Sequence, residues 1–138
     1  MSAVIDSNPA QPRWQTITGL VLSGLIVAFL VFDGAIKLVP IAPVTETLTA
    51  LGYSADPMLA RSLGIITLAC ALLYAIPRTS VLGAILLTGL LGGAIATHLR
   101  VGSPVFSHLL FGVYLGLMAW GGLYLRHEAV RRMIPFRL

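Results

Sequence analysis

Four long apolar stretches constrain the fold of this chain more than any other feature of its sequence. They cover Trp14–Phe32, Met58–Ile76, Val81–Thr97 and Val105–Leu125, and the first continues as a helical pattern to Leu38. Each is close to the ~20 residues that a helix needs to cross a hydrocarbon core of ~30 Å. Because only a helix satisfies its own backbone hydrogen bonds in lipid, each stretch is predicted to be a transmembrane helix.

The composition supports this prediction. Hydrophobic residues make up 57% of the 138 residues and charged residues only 10%, whereas a soluble domain carries roughly 25% charged residues. So little charge would leave apolar surface exposed to water, but lipid solvates such a surface. The net charge of +4 resides largely in arginines at the ends of the apolar stretches. It does not form a basic face with interleaved aromatic residues, so nucleic-acid binding is not expected.

The chain contains one cysteine, Cys70, which lies inside an apolar stretch. A single cysteine cannot form a disulfide within the chain, so thiol–disulfide chemistry by the monomer is excluded. We interpret Cys70 as a small packing residue.

Helix-ending residues separate the four stretches. Asp56 followed by Pro57 is typical of an N-cap and a first helical residue, and begins the second span. Pro77 ends that span, and the short turn after it predicts that the second and third spans are antiparallel neighbours. The longest connection contains a helical pattern over Pro43–Leu51, which we expect to lie at the membrane interface and to end at Gly52. The predicted fold class is therefore all-α: a membrane four-helix bundle with a short interfacial helix between spans 1 and 2.

Lysines and arginines are unequally divided between the two ends of the predicted spans. Six lie on the side of the termini and three on the other side: Arg13, Arg78, Arg126, Arg131, Arg132 and Arg137 against Lys37, Arg61 and Arg100. The positive-inside rule then places both termini in the cytoplasm, with residues 1–13 as a polar tail and residues 127–138 as a basic tail. We expect no cleavable signal peptide.

All four spans bring polar or ionisable side chains to the end opposite the termini. The set comprises Asp33, Lys37, Arg61, Thr97, His98, Arg100 and His108. Asp33 and Lys37 are four residues apart, so they share a helix face in the favourable acid-before-base order. Ionisable groups inside a membrane cost roughly 2.5–3.5 kcal/mol each at mid-bilayer and usually face the bundle interior. The pattern predicts a polar cavity in the outer leaflet.

A structural interpretation of the same residues stays open. Asp33 and Lys37 can be only a local ion pair, and Arg61 and Arg100 can be anchors that extend to the interface. His98 and His108 bracket a short turn, so their side chains can meet. Two histidines could ligate haem or a metal, but no haem-attachment motif or third ligand accompanies them, so we assign no metal site.

The third and fourth spans are rich in glycine. Gly89 and Gly93 are four residues apart, as are Gly112 and Gly116, and such pairs let helix backbones approach closely. We expect the third span to pack tightly on the fourth through these glycines. The alternative is that a ligand packs against the bare backbone.

Three segments of the sequence resemble the DoxX-like family of small bacterial membrane proteins with four spans. They are YAIPRTSVLGAILLTGLLGGAIATHLRVGSPVFS (74–107), DGAIKL (33–38) and WGGLYLR (120–126). The resemblance covers nearly everything after the N-terminal tail and implies a four-span domain over residues 14–126. It also implies a location in the bacterial cytoplasmic (inner) membrane.

The resemblance implies less about chemistry. The family takes its name from a subunit associated with thiosulfate-to-quinone electron transfer, and other members are linked to redox or stress-related membrane complexes. Many relatives have an acidic residue where Thr67 stands, an aromatic residue at Leu90 and an acidic residue at Ser103. If the family uses the acid at the position of Thr67, this chain has altered that chemistry, although Thr67 would still face the cavity. Asp33, Lys37, His98 and Arg100 match the family pattern.

Three functional hypotheses follow. The first is a redox accessory subunit that binds a quinone or another lipophilic molecule, works with a membrane redox partner and forms a homo-oligomer in the bilayer. Asp33 and His98 would handle protons as the catalytic residues. The second is a self-contained membrane enzyme of the isomerase type that uses Asp33 and His98 for acid–base chemistry. The third is a non-catalytic assembly or scaffold protein. The substrate-binding residues in the catalytic hypotheses are Lys37, Arg61, Thr67, Thr97, Arg100 and His108.

Overall fold

The structure is a computed structural model in which residues 11–134 are described. Most of the predicted polar tail, together with residues 135–138 of the basic tail and therefore Arg137, lies outside the described residues. The helices within the described residues are α1 (Arg13–Leu38), α2 (Ala42–Ala50), α3 (Pro57–Ala75), α4 (Ser80–Arg100), α5 (Phe111–Arg126) and α6 (Glu128–Met133). A π-helical turn, Val105–Leu109, precedes α5.

Four of these segments are long and apolar enough to cross a membrane: α1, α3, α4 and the stretch Val105–Arg126. The predicted all-α four-helix bundle is confirmed. The fourth span begins with a π-helical turn, in which the backbone amides of His108 and Leu109 both donate to the carbonyl of Pro104. This wider turn contains one residue more than a turn of α-helix. Single π-helical turns of this kind are frequent at functional sites.

The helix ends follow the predicted residues. Asp56 Oδ1 accepts a hydrogen bond from the amide of Met58 at 2.9 Å and so caps α3. The predicted short helix between spans 1 and 2 forms as α2, and Gly52 follows it with a φ of +86°, a backbone conformation that favours glycine. Val44 and Leu48 of α2 pack on Ala60 of α3. This contact holds α2 across one end of the bundle.

The four spans form a closed ring in which α1 and α4 each pack against both α3 and α5. The core between them contains large buried side chains, among them Ile26, Tyr74, Leu87 and Leu123. A bundle closed in this way buries little of each helix, and most of the remaining apolar surface is exposed, as expected for a chain solvated by lipid.

Tyr74 joins three of the spans on the side of the termini. Its side chain is 1% exposed, and its hydroxyl donates to the carbonyl of Ala119 on α5 at 2.6 Å. The same hydroxyl lies 2.9 Å from Ser23 Oγ on α1. We call Ser23, Tyr74 and Ala119 the Tyr74 junction.

The connection from α3 to α4 is equally tight beside this junction. Ser80 Oγ donates to the carbonyl of Tyr74 at 2.8 Å, and Thr79 Oγ1 donates to the carbonyl of Leu73 at 2.7 Å. A Cβ atom added to Gly83 would lie 2.6 Å from the Cα of Tyr74. Glycine is therefore required at this point, where the two backbones come within contact distance.

The expectation that Gly89 and Gly93 bring the third span close to the fourth was wrong. A Cβ atom added to either glycine would find nothing within 4 Å. On α5, Gly112 does pack closely, with an added Cβ 2.8 Å from the side chain of Ile95, but an added Cβ on Gly116 meets only Leu91, at 3.8 Å. The spacing indicated a face of small residues without indicating whether another helix would cover it.

We expect Tyr74→Phe to destabilise the protein by about 0.6–1.7 kcal/mol, the range found for side-chain hydrogen bonds between membrane helices. The change removes the hydroxyl that serves both Ser23 and Ala119. The measurement is reversible unfolding in mixed detergent micelles, followed by circular dichroism. Tyr114→Phe is the matched control, because the Tyr114 hydroxyl makes only an exposed 3.4 Å contact. Equal stability of the two variants would contradict the prediction.

We expect Gly83→Ala to lower stability by about 1–3 kcal/mol, as overpacking of a tight contact does. The added methyl group would collide with the backbone at Tyr74. Gly92→Ala on the same helix meets open space and should be neutral or stabilising by up to ~1 kcal/mol. The midpoint of thermal unfolding in one detergent compares them, and a Gly83→Ala variant as stable as Gly92→Ala would show that the close contact does not exist.

Candidate functional site

A cavity of about 690 Å³ opens within the bundle at the end where α1 finishes and α3 begins, hereafter the polar end. Helices α1, α3, α4 and α5 supply its walls, α2 contributes residues from Pro43 to Leu48, and Leu51 follows directly after α2. Most of the surface is apolar, including Phe29 and Phe111, whose rings meet edge to face at 5.4 Å. The cavity therefore offers hydrocarbon walls with a limited set of polar groups.

Asp33 and Lys37 line this cavity from α1. Lys37 Nζ lies 2.5 Å from Asp33 Oδ2, and the two side chains are 26% and 24% exposed. The four-residue spacing brought them together as predicted. The ammonium has two further donors and the carboxylate has unused lone pairs, so the pair can still bind a polar group of a ligand.

His98 from α4 and His108 from the π-helical turn also line the cavity. Their rings meet edge to face with centroids 5.7 Å apart, as the short turn between them predicted. His98 Nδ1 lies 2.9 Å from Ser103 Oγ, and His108 Nδ1 lies 2.7 Å from Ser107 Oγ. These serines orient the rings, and each Nε2 stays available for proton exchange or for a ligand.

Two threonines complete the predicted polar lining. Thr67 is 2% exposed, and its hydroxyl donates to the carbonyl of Leu63 at 2.8 Å. Thr97 donates to the carbonyl of Gly93 at 2.8 Å and lies 3.3 Å from the hydroxyl of Tyr53. Both threonines use their hydrogen within their own helix, so toward the cavity they act as hydrogen-bond acceptors.

Arg61 and Arg100, the other two predicted site residues, do not line the cavity. Arg61 Nε donates to the carbonyl of Leu38, the last residue of α1, at 3.3 Å. Arg100 Nη2 donates to the carbonyl of Leu51, the residue that follows α2, at 2.7 Å. Cations at helix C-termini satisfy carbonyl groups that lack a partner in the helix. These contacts favour the anchoring interpretation of both arginines.

Sequence reasoning missed the residues that α2 and its following loop contribute, among them Thr47 and Tyr53. It also placed Gly89 and Gly93 in helix packing, whereas both line the cavity with bare backbone. For the glycines, the sequence did allow the alternative that a ligand packs against their bare backbone. No sequence signal fixed which way α2 would lie across the bundle.

Within residues 11–134, no group of three or more His, Cys, Asp and Glu side chains is placed to hold a metal ion. Cys70 is a buried free thiol in the described core, as its position predicted. The chemistry that the cavity side chains themselves offer is hydrogen bonding and proton transfer, by Asp33, Lys37 and the two histidines.

The four spans around one cavity define a multi-pass integral membrane protein. A family model described as the DoxX-like family matches residues 21–122, so the chain belongs to that family, and the resemblance found in the sequence is confirmed. No curated protein and no solved structure matches the chain.

The opposite end of the bundle has a different electrostatic character. Arg131 Nη1 donates to the carbonyls of Tyr124 and Leu125 at 2.8 and 3.1 Å, closing the end of α5. His127 lies beside it with Nε2 buried and without a hydrogen-bond partner among the described residues. Burial, followed by the positive charges of Arg126 and Arg131, lowers the pKa of His127.

Because folding lowers this pKa, there is a pH range in which His127 is neutral in the folded protein and protonated in the unfolded chain. The stability that this gives is present above the unfolded pKa of about 6.5 and is lost as the pH falls below that value toward the folded pKa. We therefore expect the unfolding midpoint to fall between about pH 7 and pH 5. His127→Gln should flatten this dependence, and an unchanged slope in the variant would contradict it.

Proposed function

We propose that this protein binds a lipophilic small molecule, a quinone or a molecule with a similar carbonyl or hydroxyl head, and acts as a small accessory subunit of a membrane redox system. The observation that carries the proposal is the cavity at the polar end. It combines apolar walls with a few hydrogen-bonding groups that converge from α1, α4 and the π-helical turn. This is the usual composition of a site for a drug-sized apolar ligand.

The size of the cavity supports this class of ligand. Its volume of about 690 Å³ falls within the roughly 300–1,000 Å³ typical of small-molecule sites. Lys37 can donate to a ligand carbonyl, and Asp33 and His98 can exchange protons with it. Reduction of a quinone requires protons together with electrons, so a site of this kind supplies the protons.

The electrons would come from a partner. The sequence contains one cysteine, so a cysteine pair or an iron–sulfur cluster ligated by the monomer is not available. In this proposal a membrane redox partner supplies the electrons. The present chain, as a homo-oligomer beside that partner, binds the ligand and supplies the protons. We place the protein in the bacterial cytoplasmic membrane with the polar end toward the outer face, because most arginines flank the opposite end.

The first test is an ultraviolet–visible spectrum of the protein purified in mild detergent, before and after dithionite, followed by titration with a short-chain quinone. We expect a reducible near-ultraviolet band or saturable binding. Asp33→Asn and His98→Gln should weaken binding by about tenfold or more, the effect of losing about 1.4 kcal/mol of contact.

Matched controls lie outside the cavity. Glu46→Gln changes an exposed carboxylate on α2, and His127→Gln changes a histidine at the opposite end of the bundle, so both should bind like the wild type. A Soret band would instead make His98 and His108 haem ligands. Absence of any quinone binding would refute the proposal, and turnover of a small hydrophobic substrate by the isolated protein would favour the acid–base enzyme.

A further inference from the structure

A second apolar space lies on the lipid-facing side of the bundle between α3 and α4. It measures about 350 Å³. Helix α3 contributes Ile66, Ala69 and Cys70 to it, and α4 contributes Ile85 and Leu86. Its walls are almost entirely apolar, since the only titratable side chain among them is Cys70, which is 3% exposed. We call this space the α3–α4 groove.

The groove and the cavity at the polar end share two residues, Gly89 and Leu90. A Cβ atom added to Gly89 would meet nothing within 4 Å, so this face of α4 borders open space at Gly89. Leu90 is half-buried beside it. Six residues earlier, at Gly83, the same two helices are in close contact. The two spaces therefore border each other along α4 at Gly89 and Leu90.

We propose that the cavity and the α3–α4 groove form one binding site for a tailed lipophile. The polar head lies among the polar side chains of the cavity, and a hydrocarbon tail, acyl or isoprenoid, passes Gly89 and lies in the groove. This inference rests on the proposed function and narrows its ligand class from any small apolar molecule to one with a long tail.

The chemistry of the possible exits favours the groove. The part of the cavity near α2 contains Lys37, Tyr53 and Thr97, and a hydrocarbon chain placed there would separate polar groups from water. The groove is lined almost entirely by apolar side chains, several of them exposed on the outer face of the bundle, so a tail that lies in it stays among apolar groups and reaches lipid. A tail gains little transfer free energy over lipid in such a groove. The groove therefore gives the tail a route out of the bundle rather than additional binding energy. A side chain that blocks this route should weaken the binding of tailed ligands more than that of tail-less ones.

Two glycines of α4 provide a matched pair of variants. Gly89→Leu places a side chain where cavity and groove meet, whereas Gly92→Leu adds the same side chain at a position that also has open space but lines neither space. The probes are two quinones with the same head group, one without a tail and one with a decyl tail. Binding of each is measured to the full-length protein in mild detergent.

We expect the wild type and Gly92→Leu to bind both quinones. Because Gly89 also lines the cavity, Gly89→Leu can weaken both quinones, but it should lose at least about tenfold more affinity for the decyl quinone than for the tail-less one. Equal affinity of Gly89→Leu and the wild type for the decyl quinone would overturn the inference and leave the proposed function standing. Failure of the wild type to bind either quinone would refute the proposed function and the inference with it.

A second measurement covers the case in which Gly89→Leu loses both ligands. A decyl quinone that carries a photoreactive diazirine at the end of its tail is crosslinked to the wild-type protein, and the labelled peptides are identified by mass spectrometry. Labels on Ile66, Ala69 or Cys70, or on Ile85 and Leu86, would support the groove. Labels confined to α1, α2 or α5 would overturn it.

Discussion

The close contact of α3 and α4 at Gly83 determines how the rest of the bundle is arranged. There the backbones touch, the turn between the helices is fixed by Thr79 and Ser80, and the Tyr74 hydroxyl ties α3 to α1 and α5. Such close packing is a main source of helix association in a membrane. There, apolar side chains gain little free energy by moving from lipid to a helix–helix contact. On the same helix, a Cβ atom added to Gly89 or Gly93 would meet nothing within 4 Å. The helices pack tightly at one end of the bundle and leave space at the other end, and the cavity lies in that space.

The sequence predicted the elements of this fold better than their contacts. Hydropathy and helix-ending residues located all four spans and the short helix α2, because lipid leaves the backbone no alternative to a helix. Local spacing also predicted the Asp33–Lys37 pair and the meeting of His98 with His108. The role of each glycine was not predictable, because Gly83 and Gly89 look alike in sequence and differ only in what lies opposite. The contacts of Arg61 and Arg100 were not predictable either. A long side chain at a helix end can reach either a cavity or a neighbouring carbonyl.

The arginines at the polar end show how a small membrane bundle holds its connections in place. Helices α1 and α2 both end at the polar end of the bundle, where their last carbonyls lack partners in the helix. Arg61 and Arg100 supply these partners from α3 and α4. The guanidinium of Arg100 also lies against Gly52, so α4 fixes the end of α2. The side chains that α2 contributes to the cavity are thereby held by a residue that is not itself in the cavity.

This arrangement has a consequence for the charge of the ligand. With both arginines engaged outside, the charged side chains left in the described lining are Asp33 and Lys37, and they neutralise each other at 2.5 Å. A ligand that carried a full charge would need a counter-ion in a low-dielectric site, and separating the existing pair to provide one would leave the other partner unpaired, which is costly. A neutral head with carbonyl or hydroxyl groups can instead accept from the remaining donors of Lys37 and bind the histidines without breaking the pair. The balance of charge in the cavity thus favours the same neutral ligand class that we propose from its apolar walls.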